Sequence, residues 1–235
     1  MSTVRIDLEA PMSWQALTAD QVRAVARLTH GGLLREECLV ALFCVLCGVE
    51  LSRQDEVIML HRGEEAYPID AFVLGDLSGR LAWILDTEPV NVACPFEGVD
   101  RYLMDTSFGN YFHADALILR YITTNDMECA RKALNDLGIT DPEFGEEEAW
   151  ALQLWWFGLK KWLKEQYPLV FEESGDSGEG YNPIKARQDI MLMLNDGKPQ
   201  DNEKIEQSNL HDVLSALQHK IEQAKHIEEQ MKEMK

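Results

Sequence analysis

Between Glu148 and Gln166 the chain reads EAWALQLWWFGLKKWLKEQ, and only Gly158 in it weakens a helix. Trp150, Leu154, Phe157 and Trp162 recur at three- to five-residue spacing, the period of one helical face. Leu152, Trp155, Trp156, Leu159 and Leu163 widen that stripe until the first two turns are apolar nearly all round. Such a helix has to be covered by the rest of the chain. Four of the six tryptophans lie here, and each aromatic ring buries on the order of 150–250 Å². The pattern therefore predicts a central core helix, with Gln153, Lys160, Lys161, Lys164 and Glu165 on a solvated stripe.

Upstream, Val4, Ile6 and Leu8 alternate with charged residues as in a half-buried strand, ended by Pro11. Thr18 and Gln21 make a capping box before the stripe Val22, Val25, Ala26 and Leu28, and Gly31-Gly32 ends that helix. A second helix runs from Leu34 to Cys47, stops at Gly48 and should pair with the first. Val57–Leu60 and Ala66–Ile69 flank turn residues and read as a small antiparallel hairpin, with Pro68 confining the second strand to an edge. Helical patterns follow at 71–85, interrupted by Gly75 and Gly79, then at 111–123 and 126–137. Residues 89–94 read as a further short strand.

After the central helix, residues 172–183 carry EESGDSGEGYNP, which cannot bury apolar area and reads as a mobile acidic linker. Residues 184–194 form a short helix, and residues 195–199 a turn. Ser208 then caps a long last helix reaching about Glu233. Its residues Leu210, Val213, Leu214, Leu217, Ile221, Ala224 and Ile227 form one narrow seam. The seam closes either on the chain's own body or on another helix. The fold class expected is mainly α with a small antiparallel β element, organised as residues 1–171, a linker 172–183 and a helical segment 184–235.

Composition changes this picture in one respect. With 22 Lys and Arg against 41 Asp and Glu, the net charge is −19. Such a surface repels phosphate backbones, so nucleic acid is not an expected partner and a basic protein is. No apolar run reaches the roughly 18–20 residues of a membrane span. The opening Arg5, Asp7 and Glu9 do not suit a signal peptide. The expected location is cytoplasmic, with five reduced cysteines.

Candidate chemistry is sparse. Cys44-Val-Leu-Cys47 is a CxxC without a second ligand pair of the usual spacing, set in an apolar helix where cysteine acts as a small core residue. His113 and Asp115, with Asp105 nearby, have the composition of a general base and its orienting carboxylate. Residues two apart, however, face different sides of a helix. His211, His219 and His226 are too far apart to share a metal and are expected as surface residues flanking the seam. Asp196 to Glu203 resembles a calcium loop without its alternating oxygen ligands or closing glutamate. No phosphate-binding, dinucleotide, zinc-protease or serine-hydrolase motif occurs, and no cofactor or metal site is expected.

Three further stretches stand out: IDLEAP at Ile6–Pro11 with Trp14, Leu17 and Gln21; Trp155-x-x-Gly158-x-Lys160-Lys161 ending in Tyr167-Pro168; and the turn from Leu194-Asn-Asp-Gly197 to Asp201. Together they resemble a family found in prophage-like gene clusters of gut Bacteroidales. The resemblance implies a phage-associated protein of tail or virion assembly. Its motifs are structural and bring no catalytic residues. The expectation is a non-enzymatic interaction protein whose partner contacts are Leu210, Val213, Leu214, Leu217, Ile221 and Ile227. Two alternatives stand beside it: a small enzyme or regulator with a cleft near His113 and Asp115, and a virion component that oligomerises through the last helix.

Overall fold

The computed structural model describes residues 8–140, 144–171, 182–195 and 198–233. The fold is mainly α with one small antiparallel sheet, as the hydrophobic pattern predicts. It divides into two compact units, Met1–Pro95 with Trp150–Gly158, and Phe96–Ala149 with Leu159–Lys235. The strand expected at Val4, Ile6 and Leu8 falls mostly on residues 1–7, and most of the expected linker on 172–181, outside the described residues.

In the first unit, α1 (Ala19–His30) and α2 (Arg35–Cys47) pack as the expected helical hairpin. The Thr18 hydroxyl accepts from Gln21 N–H at 3.3 Å while the Gln21 side chain accepts from Thr18 N–H at 3.0 Å, closing the capping box. Gly48, at φ 63°, ends α2 in the left-handed conformation. The predicted hairpin is a three-stranded meander in the order β1 (Glu50–Gln54), β2 (Val57–Arg62), β3 (Glu65–Ile69). Its register aligns Leu51, Leu60 and Tyr67 across the sheet, and Leu60 is fully buried. The pattern at 71–85 resolves into α3 (Ala71–Gly79) and a short α4 (Trp83–Asp86). Residues 89–94 are not a strand. Asn91 takes a left-handed φ of 51° and its N–H donates to Gly158 O at 3.2 Å, so the segment is shaped by a tertiary contact.

In the second unit, α5 (Phe108–Thr124) and α6 (Met127–Asp136) form a hairpin turned by Asn125 at φ 55°. Ser107 caps α5, which starts three residues before the apolar pattern suggests. α8 (Pro183–Leu194), α9 (Asn202–Gln207) and α10 (Leu210–Glu233) complete the unit; α9 has too few apolar residues to be visible as a pattern. A β-bridge pairs Ser107 with Asn209, with Phe108 N–H donating to Ser208 O and Leu210 N–H to Thr106 O, both at 2.9 Å.

α7 (Glu146–Gln166) is the expected central helix, and its middle turns belong to the first unit and its ends to the second. Leu152, Trp155, Trp156, Leu159 and Leu163 are buried, whereas Trp150, Leu154 and Trp162 are half-buried and Phe157 is exposed. The buried set recurs at three and four residues and lies on the opposite side from the sparser set that first draws the eye. At Gly158 an added Cβ would sit 2.7 Å from Val92 Cγ2, so glycine is what lets the 91–92 segment lie against the helix.

Candidate interaction surface on the last helix

The start of α10 is held by side chains that the hydrophobic pattern does not show. The Asn209 side chain accepts from His211 N–H at 2.8 Å and takes the capping place assigned to Ser208, whose hydroxyl donates instead to Lys204 O. His211 is buried rather than at the surface. Its Nε2 lies 2.7 Å from Tyr102 O, a carbonyl that can only accept, so Nε2 carries the proton and Nδ1 accepts from the Tyr167 hydroxyl at 2.8 Å. Trp162 stacks on Tyr102 at 4.2 Å and meets His211 edge-on at 5.9 Å.

From this anchor the seam divides. Leu210, Val213, Leu214 and Leu217 are buried against the chain's own second unit, and Ile221 is half-buried. Each buried side chain of this size contributes about 1.5–3 kcal/mol, so the first half is firmly docked. Lys220 Nζ donates to Met193 O at 2.6 Å, tying α10 to the end of α8 at the point where docking stops. Every residue from Glu222 to Glu233 is then exposed, roughly 18 Å of helix at 1.5 Å per residue. The apolar spacing does not stop with the docking. Ala224, Ile227 and Met231 continue it at three and four residues, and Ile227 and Met231 are both 57% exposed. Leu192 and Met193 on α8 are exposed as well. Glu228 and Lys232 pair at 2.8 Å, each favouring the other's charged form: the Glu228 carboxyl is lowered and the Lys232 ammonium raised.

The structure separates the groups written as an acid–base pair. His113 is exposed and its Nδ1 lies 2.7 Å from Asp136 Oδ2 of α6. Asp115 is buried and accepts from Lys160 Nζ at 3.0 and 3.2 Å. Lys160 therefore turns inward from the stripe expected to be solvated. His113 lines an open groove of about 490 Å³ with Asn110, Phe112, Arg187 and Glu206, and Arg187 is ion-paired to Glu206. His219 and His226 are exposed. Asp196 and Gly197 of the calcium-like loop lie outside the described residues. Among the described residues, no three or more His, Cys, Asp or Glu side chains are grouped to hold a metal ion, and no helix is long and apolar enough to cross a membrane.

Cys44 and Cys47 pack against the core of the first unit, as the apolar helix around them predicts, but the five cysteines are not equally covered. Cys38 and Cys129 are buried, but Cys44, Cys47 and Cys94 are half-buried, and Cys47 lines a cavity of about 450 Å³ with Met12, Phe43, Leu77 and Leu81.

The class defined by this architecture is a mainly helical protein with a three-stranded antiparallel sheet. No family model, curated protein or solved structure matches the chain.

Proposed function

We propose that the chain is a non-enzymatic interaction protein, an adaptor or chaperone of phage tail or virion assembly, that receives a protein partner along the outer half of α10. The observation that carries this reading is the continuity of one apolar seam across two environments. The same spacing that docks Leu210–Leu217 runs on, uncovered, through Ala224, Ile227 and Met231. An amphipathic helix with an unfilled face is the geometry of helix-in-groove recognition. The assembly setting comes from the sequence resemblance alone. The net charge of −19 favours a basic partner.

The partner contact accordingly shifts outward, from the six seam residues named above to Ile227 with Ala224 and Met231. The test is co-expression of the full chain with candidate tail and virion proteins. Wild type is compared with the double variant Ile227→Asp/Met231→Asp and with Leu214→Ala. The exposed pair should leave stability within about 0.5 kcal/mol and abolish capture. Leu214→Ala should cost about 2–5 kcal/mol of stability. Undiminished capture by the double variant would refute the surface. Self-association lost only in that variant would make the chain an oligomeric virion component instead.

A further inference from the structure

We propose that the cavity beside the end of α2 is a binding site for a free α-amino acid with an aliphatic or aromatic side chain. It holds about 450 Å³, a volume within the range of small-molecule sites. The segment 8–12, α2 and the end of α3 build its wall, all within the first unit. Leu8, Met12, Phe43, Leu77 and Leu81 make that wall mostly apolar. Two charged residues, Glu9 and Arg80, complete it, and both are exposed, as suits groups at the mouth of a cavity rather than in its floor.

The two charges select the ligand. Arg80 follows Leu77 by three residues, the spacing of helical neighbours, which sets its guanidinium beside the apolar wall. Among the described residues that guanidinium meets one carboxylate, Asp76, through Nη2 at 3.2 Å. The pair is 67% and 63% exposed, hence weak, and one bond leaves Arg80 other donors for a ligand. Glu9 has no ion-pair partner among the described residues. An apolar anion would face Glu9 and Asp76, and an apolar cation would face Arg80. A zwitterion answers both signs, its carboxylate accepting from Arg80 and its ammonium donating to Glu9. Taken as a sphere, 450 Å³ is roughly 10 Å across, close to the span of both head groups on one carbon with a hydrogen bond of about 2.9 Å on either side. The side chain then lies against Phe43, Leu77 and Leu81, where its contact with water is lost.

Isothermal titration calorimetry of the full chain with L-leucine and L-phenylalanine should give one site per chain, and glycine should give none. From alanine to norleucine, affinity should rise about fourfold for each CH₂ added. The amide of phenylalanine lacks the carboxylate and its N-acetyl derivative lacks the ammonium. Each should bind more weakly by on the order of tenfold, the worth of a charged hydrogen bond. Arg80→Gln should weaken phenylalanine by a similar factor and leave the amide unchanged, while Glu9→Gln should weaken phenylalanine and leave the N-acetyl derivative unchanged. Leu77→Trp, which fills the cavity, should abolish binding with the circular dichroism of the native chain. Should that substitution unsettle the fold, the two exposed charge variants still decide. No binding of either amino acid, an amide or N-acetyl derivative as tight as phenylalanine itself, or undiminished affinity in Arg80→Gln, Glu9→Gln or folded Leu77→Trp would overturn the site.

Discussion

Single residues decide more here than their polarity suggests. At Gly158 two effects of substitution oppose each other. Replacing glycine by alanine inside a helix gains up to about 1 kcal/mol of propensity. The new Cβ, however, meets Val92 Cγ2 at 2.7 Å, and Val92 is 1% exposed with no solvent side to retreat to. Overpacking of that kind costs about 1–3 kcal/mol, so Gly158→Ala should lower the melting temperature, and adding Val92→Ala should recover most of the loss. At His211 the ring is a hydrogen-bonding joint between Tyr102 O and the Tyr167 hydroxyl. His211→Phe keeps a ring of similar size and strands both partners, at a cost of about 1–3 kcal/mol in chemical denaturation. A ring valued only for packing would show no loss.

Among the elements, those whose signals are local were legible in the sequence. The capping box at Thr18, the stop at Gly48 and the seam of α10 all depend on residues within a few positions of one another. β1 was missed because Glu50-Leu-Ser-Arg-Gln offers one apolar residue in five, as suits an edge strand with an open outer face. The false strand at 89–94 failed because Asn91 answers to Gly158, far along the chain. The seam was readable as a seam; where docking ends along it was not, since that depends on how far the packed body extends. The pairing of Asp115 with Lys160 escaped for the same reason. α2 carries a prediction of its own. Burial raises the thiols of Cys38, Cys44 and Cys47 above the usual range. Below the ordinary thiol pKa of about 8.5 both states hold these protons and the pH has no leverage. Above it the unfolded chain ionises first and the native state binds more protons, so stability falls as pH rises. The urea midpoint should drop between pH 7.5 and 9.5, and drop less in Cys44→Ser/Cys47→Ser.

For the whole molecule, the excess of negative charge sets two responses to salt that run in opposite directions. A net −19 makes the folded chain repel itself. Of the opposing ion pairs, those that salt screens most are weak: Arg35–Asp86, Arg80–Asp76 and Glu228–Lys232 all have side chains about half exposed or more, and exposed pairs are worth about 0–1 kcal/mol each, whereas the buried Asp115–Lys160 pair is screened little. Screening should therefore relieve more repulsion than it removes attraction, since the Debye length shortens to about 10 Å at 0.1 M salt. Raising sodium chloride from low to physiological ionic strength should raise the melting temperature, by about 2–4 °C for each kcal/mol relieved in a chain of this size. Potassium chloride should do the same, because screening depends on ionic strength and not on the ion. A basic partner arriving at the outer half of α10 feels the same field with the opposite consequence. Its association rate should fall over the salt range in which the chain alone becomes more stable. Stopped-flow binding and calorimetry on one preparation compare the two, and a binding rate indifferent to salt would remove charge from the account of how the partner is chosen.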